Sequence, residues 1–115
     1  LQKVFNEATS ASKTLSAAKK CTLFWTASTE SPGHDASVAR AYNLHLVSLS
    51  MKTPGVFLAD YDALVRTNAT YRKGLFPLTG TLDGKKLDGV HPQGGAARST
   101  LAVWLRDQVR WFCKI

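Results

Sequence analysis

An α+β domain, with a single amphipathic helix packed on an antiparallel β-sheet, is the fold class that this 115-residue sequence predicts. Three observations point to it. One stretch carries apolar residues at helical spacing, several short runs are rich in aromatic and β-branched residues, and Gly- and Pro-containing turns separate them.

Residues 1–20 are rich in Ala, Ser, Thr and Lys. Val4, Ala8, Ala11 and Leu15 recur at helical spacing, but Ala is a weak anchor and Ser and Thr dilute the propensity. A marginal N-terminal helix or arm is expected there, with the domain proper over 21–115. Residues 21–26 (Cys-Thr-Leu-Phe-Trp-Thr) read as a strand, closed by the breaker Ser31-Pro32-Gly33. The main helix is expected over 35–48. Asp35 suits its N-cap, and Val38, Tyr42, Leu46 and Leu49 form one stripe at i, i+4, i+8 and i+11.

Thr53-Pro54-Gly55 ends that helix, and 55–59 follow as a short strand leading into a loop around Asp60, Tyr61 and Asp62. The next strand is expected over 71–78, after an irregular loop at 66–69. Residues 79–89 suit a hairpin loop, and His91-Pro92-Gln93-Gly94-Gly95 a turn. The last two strands are placed at 100–105 and 109–114. Trp25, Trp104 and Trp111 are expected in the core. Alternation puts Val109, Trp111 and Cys113 on the inner face of the final strand and leaves Phe112 as an apolar residue facing out, covering the N-terminal arm.

The charge balance is 15 Lys+Arg against 8 Asp+Glu, giving +7. Such a surface suits nucleic acid, anionic lipid or an acidic partner. The cations are spread along the chain. Tyr71, Arg72 and Lys73 combine a stacking ring with two cations, which fits a single-stranded base and its backbone; Lys85, Lys86 and Arg98 are further candidate RNA or partner contacts. No stretch reaches the roughly 18 apolar residues of a membrane span. The chain opens on Leu1, as expected of a mature or trimmed form from which any leader has been removed. Asn68-Ala69-Thr70 satisfies the N-glycosylation sequon.

Two cysteines, Cys21 and Cys113, are either free thiols of a cytosolic protein or a bridge. The bridge is favoured because it ties the end of the chain to an early strand. No cofactor motif is present. Three scattered histidines, His34, His45 and His91, have no carboxylates at useful spacing for a metal and read as surface or boundary residues.

The loop at 53–57, the step Phe76-Pro77-Leu78, the turn Gly94-Gly95 and the apolar run Leu101-Ala102-Val103-Trp104 come in an order that resembles the small extracellular guanyl-preferring ribonucleases of fungi. The resemblance covers roughly residues 21–113 and implies a microbial-ribonuclease-like fold, in which Cys21 and Cys113 fit the terminal bridge. Chemistry by that family's route needs a general base, a general acid and a cation for the phosphorane charge. The matching positions here hold Gly55, Leu75 and Leu101, and no histidine lies between Val103 and Cys113. Loss of a single oriented acid or base commonly removes about 10²–10⁴-fold in rate, so the resemblance implies no enzyme activity and no catalytic residues.

Scaffolds with this loss resemble the RNase-like effectors that cereal mildews and other fungal plant pathogens secrete. That likeness implies a catalytically inactive virulence effector, secreted and then delivered to the host cytoplasm. It implies binding of host RNA, ribosome or defence protein, and recognition by a plant intracellular immune receptor. A monomer without cofactor, metal or membrane is expected. Many of that group carry Tyr two residues before the first cysteine, where this chain has Lys19. The alternative is an active, divergent basic ribonuclease using His34, His45 or His91 with Arg98, or another RNA-binding module.

Overall fold

The computed structural model describes residues 2–33 and 35–115. Among these residues are five helices and two small sheets: α1 (Gln2–Ala17), β1 (Thr22–Trp25), α2 (Ala36–Lys52), β2 (Val56–Ala59), α3 (Tyr61–Thr67), α4 (Ala69–Lys73), β3 (Thr81–Leu82), β4 (Lys85–Lys86) and α5 (Gly95–Cys113). The α+β class holds, with helices packed against a small sheet. The arrangement expected within it is corrected. β1 and β2 pair in parallel, with Thr22 opposite Val56 and Trp25 opposite Ala59. Helix α2 lies between these strands in sequence, and a helical crossover of that length suits parallel neighbours as a tight hairpin cannot.

The α2 expectation is met and lengthened. The Asp35 carboxylate accepts the Ser37 N–H and the Ser37 hydroxyl, each at 2.7 Å, satisfying groups that an uncapped first turn leaves open. Leu46 and Leu49 are buried while Val38 is exposed, so the stripe turns onto Ala39. Residues 79–89 form a hairpin as expected, with β3 and β4 antiparallel around Asp83-Gly84. Both turn residues have positive φ, the conformation that matches strand twist in a two-residue loop.

The N-terminal segment is a 16-residue helix docked on α2, not an arm. Its small residues are the reason. Ala8 and Ser12 are buried and let the backbones approach, and Phe5 stacks on His45 with centroids 4.6 Å apart. Ala8 joins Leu46 and Leu49 in a first core, against which Phe24, Tyr42 and Leu58 pack.

The loop expected around residues 60–62 is the start of α3. Asp60 caps it by accepting the Ala63 N–H at 3.0 Å. The strand expected over 71–78 is α4 followed by a turn with a cis Phe76–Pro77 peptide. Asn68 starts α4 by accepting the Tyr71 N–H at 2.9 Å. The strands expected at 100–105 and 109–114 are one helix, α5. Leu101, Trp104, Leu105, Gln108, Val109 and Phe112 are among its partly buried positions, at a spacing of three and four. Trp111, expected inside, falls off this face and is 69% exposed.

A second core gathers Leu64, Val65, Tyr71, Leu75 and Ala97, with Tyr61, Phe76, Leu101 and Trp104 against it. Cys21 and Cys113 form a disulfide with Cα atoms 5.8 Å apart, which pins the end of α5 beside the start of β1.

Candidate binding surface

Side chains alternate across β2, so Leu58 packs against the α2 core while its neighbour Phe57 points to the opposite face. There the Phe57 ring stacks on Phe112 of α5, with centroids 5.4 Å apart and planes 27° from parallel. The disulfide holds this pair in place, since Phe112 directly precedes Cys113.

Two adjoining recesses, of about 400 and 360 Å³, share Pro54, Gly55, Phe57 and Phe112. Lys52 lines the first, and Lys19 and Lys20 line the second. No carboxylate lines either. Met51, Trp111 and Ile115 are strongly exposed nearby in sequence, at 82%, 69% and 81%, and the Lys114 ammonium sits 5.0 Å from the Trp111 ring centroid. The surface is apolar at its centre and cationic at its margin.

Two of these lysines stand where glycine is preferred. Lys19 (φ 56°) and Lys114 (φ 59°) are left-handed. Lys19 ends α1: its N–H donates to the Ser16 carbonyl, and the Lys20 N–H donates to the Leu15 carbonyl, at 2.9 and 3.0 Å. Lys114 ends α5 by donating to the Arg110 carbonyl at 3.1 Å. Both helix ends use a left-handed residue to satisfy terminal carbonyls.

A further crevice, of about 500 Å³, opens beyond the carboxyl ends of β1 and β2, with Thr29, Arg40, Asn43, Asp62 and Arg66 in its lining. Ligands often bind at that end of parallel strands, but here the polar groups hold the fold. The buried Asp62 carboxylate accepts the Thr29 N–H (2.7 Å), the Thr29 hydroxyl (2.9 Å) and Arg66 Nε (2.9 Å). Asn43 clamps both backbone groups of Ala27, at 2.6 and 3.0 Å. Arg40 alone among these side chains has no hydrogen-bond or ion-pair partner among the described residues.

The residues singled out from sequence are dispersed. Leu75 and Leu101 meet in the second core, whereas Gly55 lines the surface at the disulfide end, so the three do not line one groove. Tyr71 is fully buried and cannot stack on a base; its hydroxyl lies 2.6 Å from that of Tyr61. Arg72 is taken by Glu30 and by the Val65 carbonyl (2.8 Å), and lies over the Phe76 ring. Lys73, Lys85 and Lys86 are exposed, the last two on the hairpin. Arg98 donates to the Pro92 carbonyl and to Gln93 Oε1 at 3.3 and 3.2 Å.

The histidines are also apart. His45 Nε2 is 3.0 Å from Thr9 Oγ1 and 3.2 Å from the Phe5 carbonyl, between α1 and α2. His91 Nδ1 pairs with Asp88 at 2.8 Å in an exposed turn. That turn donates the His91 and Val90 N–H groups to Asp88, and the bonds from His91 hold its carboxyl down to about 2. His34 lies outside the described residues. Among the described residues no three His, Cys, Asp or Glu side chains gather as a metal site, and no helix is long and apolar enough to cross a membrane.

Sequence reasoning passed over Phe57, Lys20 and Lys52 as a group. A signal was present in the flanks of the two cysteines, Lys19-Lys20-Cys21 and Phe112-Cys113-Lys114, which a bridge necessarily brings together. Comparison with protein-family models, with curated proteins and with solved structures finds no match for this chain.

Proposed function

We propose that this chain is a secreted, disulfide-stapled binding domain that takes an anionic host macromolecule on the Phe57–Phe112 surface and performs no chemistry of its own. One observation carries the reading: an aromatic centre edged by Lys19, Lys20 and Lys52, with no carboxylate in its lining. Three cations around an apolar floor raise the local concentration of an anionic partner and leave the rings to supply contact area. The left-handed Lys19 adds support. A non-glycine residue in that conformation costs about 1–2 kcal/mol, and here the cost falls on a residue that lines this surface.

The effector role, delivery to the host cytoplasm and recognition by a plant immune receptor belong to the same proposal and rest on the resemblance to RNase-like effectors. Of the motifs behind that resemblance, the loop at 53–57 and the paired cysteines stand at this surface. A ribonuclease-like ancestry is likewise part of the proposal, but without a relict active site, since Gly55 lies apart from Leu75 and Leu101.

The test is retention on immobilised heparin, a generic polyanion. The triple variant Lys19→Glu, Lys20→Glu, Lys52→Glu should elute at much lower salt than the parent, while Lys85→Glu, Lys86→Glu on the hairpin should elute only slightly earlier. Losses in proportion to the charge removed, about three to two between the triple and the double variant, would show that net charge alone governs binding, and the surface would lose its assignment.

A further inference from the structure

In a two-stranded sheet both strands are edges, and an uncovered edge is a template for another strand. The register fixes which groups of β2 are free. The Thr22 and Thr26 N–H groups donate to the Gly55 and Ala59 carbonyls, so the backbone of residues 55, 57 and 59 faces β1, and that of Val56 and Leu58 faces outward. The Val56 N–H is used by the Thr53 carbonyl at 3.2 Å. The Val56 carbonyl and both backbone groups of Leu58 have no partner among the described residues.

The recess beside β2 runs over this edge. Phe57 and Leu58 point to opposite faces of the sheet, yet both line it, together with Val56 between the end of α2 and Phe112. A cavity lined from both faces of a strand lies across its free side. Lys52 borders it, Lys19 and Lys20 border the adjoining recess, and carboxylates are absent from both linings.

We infer that β2 accepts an extended, acidic segment of a partner protein as an added strand. The inference rests on the binding reading above and names its partner class. Backbone pairing at Val56 and Leu58 supplies register, the Phe57 and Phe112 rings take apolar side chains on one face, and the lysines select carboxylates. A second copy of this chain is a poor occupant, because a net charge of +7 on each molecule opposes association. RNA offers no row of N–H and C=O groups to match the strand.

The experiment uses the acetylated and amidated peptide Val-Glu-Val-Glu-Val-Glu, the same peptide N-methylated throughout, its Val-Lys counterpart, and oligouridine. Calorimetry gives affinities, and amide exchange reports on Leu58. The acidic peptide should bind and slow Leu58 exchange at least tenfold. N-methylation should weaken binding at least tenfold, because it removes the donors without changing charge. Lys52→Glu, an exposed change that leaves the circular dichroism spectrum intact, should weaken it similarly. The inference falls if the N-methylated peptide binds equally, if Leu58 stays unprotected, if oligouridine alone binds, or if the protein dimerises through β2 without peptide. Retention on heparin that survives such a result would leave the general binding reading standing and remove only the strand partner.

Discussion

The hydroxyl groups of Tyr61 and Tyr71 lie 2.6 Å apart, with the two rings edge to face at 5.9 Å, where α3 and α4 meet the second core. Burial pushes the Tyr71 phenol far above its ordinary range, and the bond to Tyr61 pushes it further; burial also raises Tyr61. An ordinary tyrosine ionises near pH 10. In the folded protein both groups keep their protons beyond that point, so the native state binds more protons than the unfolded chain there, and stability falls as pH rises. Below about pH 10 the contribution is intact. Alkaline titration followed by phenolate absorbance should show Tyr71 ionising only together with loss of the helical signal. The variant Tyr71→Phe should lose about 1 kcal/mol of stability and shift unfolding to higher pH.

The bridge between Cys21 and Cys113 closes a loop of 92 residues in sequence separation. Chain-entropy reasoning gives about 4–5 kcal/mol for a loop of that length. The paired variant Cys21→Ser, Cys113→Ser should therefore melt well below the parent. It should also free the last turn of α5, so that Phe112 leaves Phe57 and heparin retention weakens. Thermal melts with and without reductant, beside salt elution, check both effects.

Gly74 sits where the end of α4 runs against α5. A Cβ built there lies 2.3 Å from the Ala97 Cβ and 2.6 Å from the Gln93 carbonyl oxygen. Neither neighbour is the far end of a flexible side chain, so the elements themselves must separate. Gly74→Ala should cost about 3 kcal/mol, at the upper end of overpacking penalties. Ala97→Gly in the same chain relieves one of the two clashes and should restore only part of the loss, which denaturant titration of the single and double variants measures.

Short-range chemistry was legible in the sequence, and long-range pairing was not. Asp35, with an apolar stripe behind it, marked the start of α2, and the glycines of residues 79–89 marked a hairpin, because caps and tight turns are settled by neighbouring residues. Residues 100–114 misled because Val, Trp and Phe favour strands, while their spacing of three and four fits α5 equally well. Tyr71 looked exposed because an Arg-Lys pair follows it. In a helix successive side chains diverge, so Tyr71 turns inward while Lys73 stays exposed. The candidate surface was hidden for another reason. Lys20, Lys52, Phe57 and Phe112 come from four segments that only the β1–β2 pairing and the disulfide unite.

Lys19 separates two roles that a mutation usually confounds. It ends α1 with a φ of 56°, in a position where glycine pays no Cβ penalty, and it lines the recess beside Cys21. Lys19→Gly should raise stability by about 1 kcal/mol, since the left-handed residue no longer carries a Cβ, and should lower polyanion retention because one of three cations is gone. Lys19→Ala keeps the Cβ penalty and removes the same charge, so it should match Lys19→Gly in retention while gaining no stability. Melting and heparin elution of the two variants check this directly. If Lys19→Gly is more stable and elutes with the parent, the charge at this position serves no partner, and the left-handed lysine is not explained by binding.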